Sequence, residues 1–129
     1  MVDPIADMLN RIRNAKAILK PAVVIPFSNF KYEIAKILAQ NGFIEKVEKK
    51  GKKNKKFIEI TLRYSDKTSA ISGLKIISKP GQRIYVSARK VKPVKGGYGI
   101  SIISTPKGLM TNKEARKQRL GGEVIGEIW

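Results

Sequence analysis

The sequence predicts an α+β protein. Two helices are expected to lie on a three-stranded sheet over residues 1–64, followed by a linker at 65–73 and a mainly antiparallel β module with one short helix over 74–129. Three observations carry this expectation. Apolar residues recur at helical spacing in "DPIADMLNRIRNAKAILK" and again between Ser28 and Asn41. Apolar and polar residues alternate from Ile58 to Tyr64. The second half is a series of short β-branched runs broken by Pro and Gly. The order helix, strand, helix, strand, strand puts helices on one face of a sheet.

The first helix is expected to start with Asp3 as N-cap and Pro4 at the first helical position, where its missing N–H costs nothing. Ile5, Met8, Leu9, Ile12, Ala15 and Leu19 form its apolar stripe, and Arg13, Asn14 and Lys16 lie off it. Pro21 is expected to end the helix, and "AVVIPF" reads as a strand. Ser28 is placed to cap a second helix reaching Asn41, with Phe27 and Tyr32 spaced as a hydrophobic staple. Gly42 supplies its left-handed exit. Ile34, Ile37 and Leu38 make the buried face, leaving Lys31 exposed in the first turn. "FIEKVEKKGKKNKKFIEITLRY" then reads as a half-buried hairpin with a lysine-rich turn.

"SDKTSAISG" has no sustained period and is read as the linker. After it, "LKIIS" and "RIYVS" flank "KPGQ", where Pro80 and Gly81 suit a type II turn joining two strands. "GISIIS" is a further strand. Thr111 and Glu114 match a capping box for a helix from Asn112 to about Arg119, and "EVIGEIW" closes the chain as a strand.

Charge narrows the partner. Lys and Arg number 27 against 10 Asp and Glu, a formal +17 whose self-repulsion calls for a polyanion, either nucleic acid or an anionic membrane. No apolar run approaches the roughly eighteen residues of a membrane span, "MVDPIADMLN" lacks the layout of a signal peptide, and the first helix fits a membrane-surface anchor only weakly. With no Cys and no His, disulfides, thiolate ligands and the commonest general base are gone, and no carboxylate spacing suggests an acid–base pair. No catalytic residue, metal or cofactor is expected.

The lysines at 46, 49, 50, 52, 53, 55 and 56 crowd one hairpin tip. They are read equally as a solubilising edge or as phosphate contacts, with Lys55 and Lys56 carried as candidates. "GGYG" at 96 to 99 is not a nucleotide loop; its glycines suit a tight lead into the next strand, with Tyr98 expected to be buried rather than offered to a base. "STPKG" sets Ser104, Thr105, Lys107 and Gly108 in a turn whose hydroxyls and backbone donors could meet phosphate, ribose or base edges. From the residues alone, a plain turn and cap is the preferred reading of that stretch.

"DPIADMLNRIRNA", "KPGQRIY" and "GISIISTPKGLMTNKEARKQRLGGEVIGEIW", in this order and spanning the chain, closely resemble the bacterial-type small-subunit ribosomal protein eight family. The resemblance implies two associated halves and a primary rRNA-binding role on the central domain of the small-subunit RNA, whose assembly the protein promotes. It implies RNA contacts at Ser104, Thr105, Lys107 and Gly108, at Gly121, Gly122 and Glu123, at Tyr85, and at Arg13, Asn14 and Lys31. Glu123 is expected to hold its turn. Many relatives carry serine where this chain has Pro106, which removes one hydroxyl and one N–H donor there. Further implied partners are neighbouring small-subunit proteins, the fifth in particular, and in some relatives the protein's own messenger RNA. The implied location is the ribosome, in the cytoplasm or, as the alternative, in a plastid stroma. A general nucleic-acid chaperone needs only the charge; an RNA-modifying enzyme would need a pocket with paired carboxylates or a bound metal.

Overall fold

A computed structural model describes residues 4–129, so the cap expected at Asp3 lies outside the described residues. The chain is α+β and divides into two compact units, one ending at Ser72 and one running from Gly73 to Trp129.

In the first unit, α1 (Pro4–Ala17) buries Met8, Leu9, Ile12 and Ala15. The helix ends before Pro21 is reached. Leu19 turns to a φ of 56°, and Lys20 N–H donates to Ala15 O at 2.9 Å, the long bond of a Schellman-type exit. Leu19 therefore leaves the expected stripe and is 45% exposed. Strand β1 (Ala22–Pro26) follows, then α2 (Asn29–Gln40), with Ser28 Oγ accepting from Lys31 N–H at 3.1 Å. Phe27 and Tyr32 meet with ring centroids 6.2 Å apart, which is the expected staple. Gly42 makes the left-handed exit at φ 79°.

Strands β2 (Ile44–Lys52) and β3 (Lys55–Leu62) form the hairpin, and β3 is central in the order β1-β3-β2. Val23 faces Ile60 and Ile25 faces Ile58, so one sheet face is apolar and packs with Ile34, Leu38 and the α1 stripe as the core. The alternation does not run on to Tyr64. That residue opens a separate small hairpin that runs into the stretch expected as linker, β4 (Tyr64–Ser65) with β5 (Thr68–Ser69). Asp66 and Lys67 both take positive φ there, the backbone of a type I′ turn, which lacked the usual Asn-Gly signature. Tyr64 OH donates to Lys20 O at 2.6 Å, and burial raises its phenol pKa above the ordinary 10.0.

In the second unit, β6 (Leu74–Ile76) and β7 (Tyr85–Val86) do not form a hairpin with each other. Both pair with the last strand, β10 (Gly122–Ile128), at different points along it. Pro80 and Gly81 do sit between bonded Lys79 and Gln82, but Gly81 is absent from the positive-φ glycines, so the turn is not type II. Strand β8 (Ile100–Thr105) lies between β10 and β9 (Gly108–Thr111), and α3 (Asn112–Lys117) follows β9. Val91, Ile103, Met110 and Ala115 form a core cluster against which Val86 and Leu120 pack. The helix is shorter than expected because Arg119 turns left-handed at φ 58°. Its capping box is one-sided: Thr111 Oγ1 accepts from Glu114 N–H at 3.2 Å, whereas the Glu114 carboxylate accepts from Gln118 at 2.9 Å.

Candidate nucleic-acid interface

The pairing register brings three sequence-predicted residues into one row. Glu123 on β10 faces Tyr85 on β7 and Ser104 on β8, and Ser104 in turn faces Leu109 on β9. Opposed residues of antiparallel strands share a face, so these four side chains stand side by side at the roughly 4.8 Å spacing of neighbouring strands. Tyr85 is 70% exposed, a large ring left in water at one end of the row. Glu123 is half-buried and receives Arg83 Nη1 at 3.3 Å.

Two glycines let β10 sit this tightly. A Cβ on Gly122 would overlap the Ser104 carbonyl oxygen, and one on Gly121 would overlap the Val86 carbonyl oxygen. Neither position takes a positive φ, so the requirement is close approach and not backbone freedom. A second support is Ser78, which is buried: its hydroxyl donates to Val124 O at 2.7 Å and accepts from Ile84 N–H at 3.0 Å.

The turn expected at Ser104 to Gly108 is present and closes a tight hairpin, because Gly108 to Thr111 forms a strand, β9, that the sequence reading did not place. Thr105 pairs with Gly108 across a loop of only Pro106 and Lys107. The Thr105 hydroxyl is buried and used internally: it accepts from Lys107 N–H at 3.1 Å and donates to Gly108 O at 2.8 Å. Thr105 thus shapes the loop and offers no free proton to a ligand. Pro106, Lys107 and Gly108 are exposed at the tip, and Gly108 needs to be glycine for its φ of 111°. The proline costs the turn nothing, because no internal bond of the hairpin falls on its nitrogen.

Asn112, the first residue of α3, is buried. Its side chain accepts from Ser101 N–H at 3.1 Å and donates to Lys92 O at 3.0 Å, tying α3 to β8. Tyr98, expected to be buried, is 89% exposed, held out on a turn where Lys95, Gly96 and Gly97 all take positive φ.

In the first unit, Arg13 and Asn14 are exposed on α1, and Arg13 Nη1 donates to Asn10 Oδ1 at 2.9 Å. Lys31 departs from the sequence reading: it is only 7% exposed. Its position on α2 falls on the buried stripe with Ile34, Ala35 and Leu38, so its stem is laid into the apolar face instead of standing off it. Lys55 and Lys56 are exposed in the hairpin. Nearer the sheet the lysine charge is partly met, by Lys50 on Glu59 at 2.9 Å and Lys46 on Glu48 at 3.3 Å. The Glu59 hydrogen bond and charge hold the Lys50 pKa above the ordinary 10.5.

Sequence reasoning missed Ser78, Arg83 and Asn112, whose partners are set by strand pairing across tens of residues. Among the described residues no helix is long and apolar enough to cross a membrane.

The geometry defines a class first: a basic α+β protein that carries a row of ring, carboxylate and hydroxyl groups across the sheet of its second unit. The chain belongs to the ribosomal protein S8 family, whose model matches residues 3–129, and members of this family are structural, non-enzymatic components of the small ribosomal subunit. It is 53% identical to the small ribosomal subunit protein uS8 of Mycoplasmopsis pulmonis over 100% of this chain and 98% of the relative. It is 51% identical to that of Spiroplasma kunkelii over 100% and 99%, and 47% identical to that of Clostridium novyi over 100% and 98%.

Proposed function

We propose that this chain is a primary rRNA-binding protein that docks on an irregular helix in the central domain of the small-subunit RNA and promotes assembly of that domain. The observation that carries the reading is the row Tyr85, Glu123, Ser104, held by close-approach glycines beside the Thr105-locked loop. A stacking ring, a free hydroxyl and exposed backbone at a tight tip suit an irregular, partly unstacked RNA, whose bases and 2′-hydroxyls are accessible. Gly121 and Gly122 set this surface, Lys107 and Gly108 present the tip, and Arg13, Asn14, Lys55 and Lys56 add phosphate contacts. Lys31 contributes through packing and whatever of its ammonium reaches water. Neighbouring small-subunit proteins, the fifth among them, complete the surroundings, and the protein's own messenger RNA is bound by the same row if it presents the same shape. The place of action is the ribosome, in the cytoplasm for bacterial relatives such as those above, and nothing favours the plastid alternative.

The test is to map the nucleotides protected when the protein is added to whole small-subunit rRNA. Protection confined to one irregular helix of the central domain, and lost when Ser104 and Tyr85 are both replaced by alanine, is the expected result. Protections scattered over many duplexes would refute the reading and leave a chaperone.

A further inference from the structure

The lysine-rich hairpin holds a feature its charge count does not reveal. Lys49 pairs with Ile58 and Gly51 with Lys56, so Lys49 and Lys56 stand on the same sheet face that carries Ile58 and Ile60 into the core. Beyond the edge of that core they lie over aromatic rings. Lys49 Nζ is 4.7 Å from the Tyr32 ring centroid and 5.4 Å from that of Phe27, and Lys56 Nζ is 5.9 Å from Phe27. Lys36 Nζ reaches the same Tyr32 ring at 5.3 Å.

Three ammonium groups therefore converge on two rings whose centroids are 6.2 Å apart. One carboxylate accompanies them, Glu33, and it pairs with Lys36 at 3.2 Å. Among the described residues neither Lys49 nor Lys56 makes an ion pair. The rings attract the cations through their quadrupoles and restrict where the long side chains go, but they do not neutralise charge. The result is a cluster with two uncompensated positive charges held in place before any ligand arrives, next to the exposed Lys55.

We propose that Phe27 and Tyr32, with Lys49 and Lys56 over them, form a phosphate-binding platform for an RNA backbone, separate from the row in the second unit. It rests on the RNA-binding reading above and assigns a different job: the platform neutralises backbone phosphates without regard to base sequence. Phosphodiester is the ligand that fits, because it meets the paired cations and requires no base edge. A sequence-reading role is disfavoured by the rings themselves, whose faces are occupied by lysine.

The experiment uses the full chain, with a central-domain rRNA fragment and a scrambled hairpin of equal length, and measures affinity across a salt series. The Lys49→Gln/Lys56→Gln pair keeps the stems and removes the charges. Each lost phosphate contact reduces the steepness of the log K against log salt line by about 0.7 to 0.9, so the double variant loses about 1.4 to 1.8 in slope, equally for both RNAs. Between 50 and 200 mM salt, that is about tenfold less loss of affinity than wild type shows. Lys75→Gln, an exposed lysine in the other unit, is the control and keeps the wild-type slope. Tyr32→Phe keeps the ring and binds as wild type, whereas Tyr32→Leu frees the cations and weakens binding to both RNAs; thermal unfolding establishes that both are folded at the assay temperature.

A double-variant slope equal to that of Lys75→Gln overturns the proposal, as do equal affinities for Tyr32→Leu and Tyr32→Phe. The specificity ratio between the two RNAs reports separately on the proposed function. If wild type shows no preference and the slopes still differ, the rRNA reading fails and the platform stands.

Discussion

The two units carry their polar groups in opposite ways. In the second, Ser104, Glu123 and Tyr85 are fixed at one level of a sheet, with Gly122 against the Ser104 carbonyl and the Thr105 hydroxyl committed at both ends. In the first, long lysines crowd a two-residue hairpin loop between Lys52 and Lys55, and among the hairpin lysines those over Phe27 and Tyr32 or beside glutamates are restrained. Under the proposed function, the difference would let one small basic protein separate two tasks: short groups on a rigid backbone to match a shape, and flexible charges to supply affinity that any polyanion shares.

The sharpest way to break this contrast is Gly122→Ala. The added carbon must push β10 from β8 at the Glu123–Ser104 pair, and overpacking of this kind costs about 1 to 3 kcal/mol. Denaturant unfolding should show that loss. Binding to the rRNA fragment should fall further than binding to a scrambled hairpin, because the row itself is displaced.

Tyr85→Ala should separate binding from folding. A ring 70% exposed contributes little to the core, so the unfolding midpoint should hardly move, while a lost stacking contact weakens RNA binding by about 1 to 3 kcal/mol. Titration calorimetry and thermal melts of the same sample would check both halves. Thr105→Val should act through shape: it keeps the volume but removes both bonds of the loop, costing about 1 to 2 kcal/mol of stability. Hydrogen exchange at the Lys107 amide should speed up, and specific binding should drop with it.

The smallest effect is expected at Tyr64. Tyr64→Phe removes the bond to Lys20 O, worth about 1 kcal/mol. Because burial raises the Tyr64 pKa, the folded state favours the neutral phenol. That contribution is complete below the ordinary value of 10.0 and is lost as pH rises through the raised one. Stability measured against pH should lose this part of its alkaline decline in the phenylalanine variant.

Local chemistry in the sequence was enough for features closed within a few residues. Ser28 with its staple, Gly42 at the exit of α2, Thr111 at the cap of α3 and the hairpin around Lys53 all depend on neighbours at short spacing. Features decided by distant partners were not legible. Tyr85–Val86 was expected to pair with the segment before Pro80, but β10, some forty residues on, takes both. Lys31 looked like an exposed first-turn residue because charge outweighed position in the reading, and the helix phase put it on the apolar stripe. Lys55 and Lys56 were named from charge, the Ser104 to Gly108 turn from its hydroxyls and glycine, and the other site residues from resemblance; the row of Tyr85, Glu123 and Ser104, and the internal use of the Thr105 hydroxyl, follow only from the register.

The most direct test of the central claim is the affinity ratio between the central-domain rRNA fragment and a scrambled hairpin, followed as salt is raised. If the second unit reads shape and the first supplies charge, both affinities fall with salt while the preference for the rRNA fragment persists at high salt. Two curves that converge as salt rises, with no preference left, would contradict the account and leave charge alone as the source of binding.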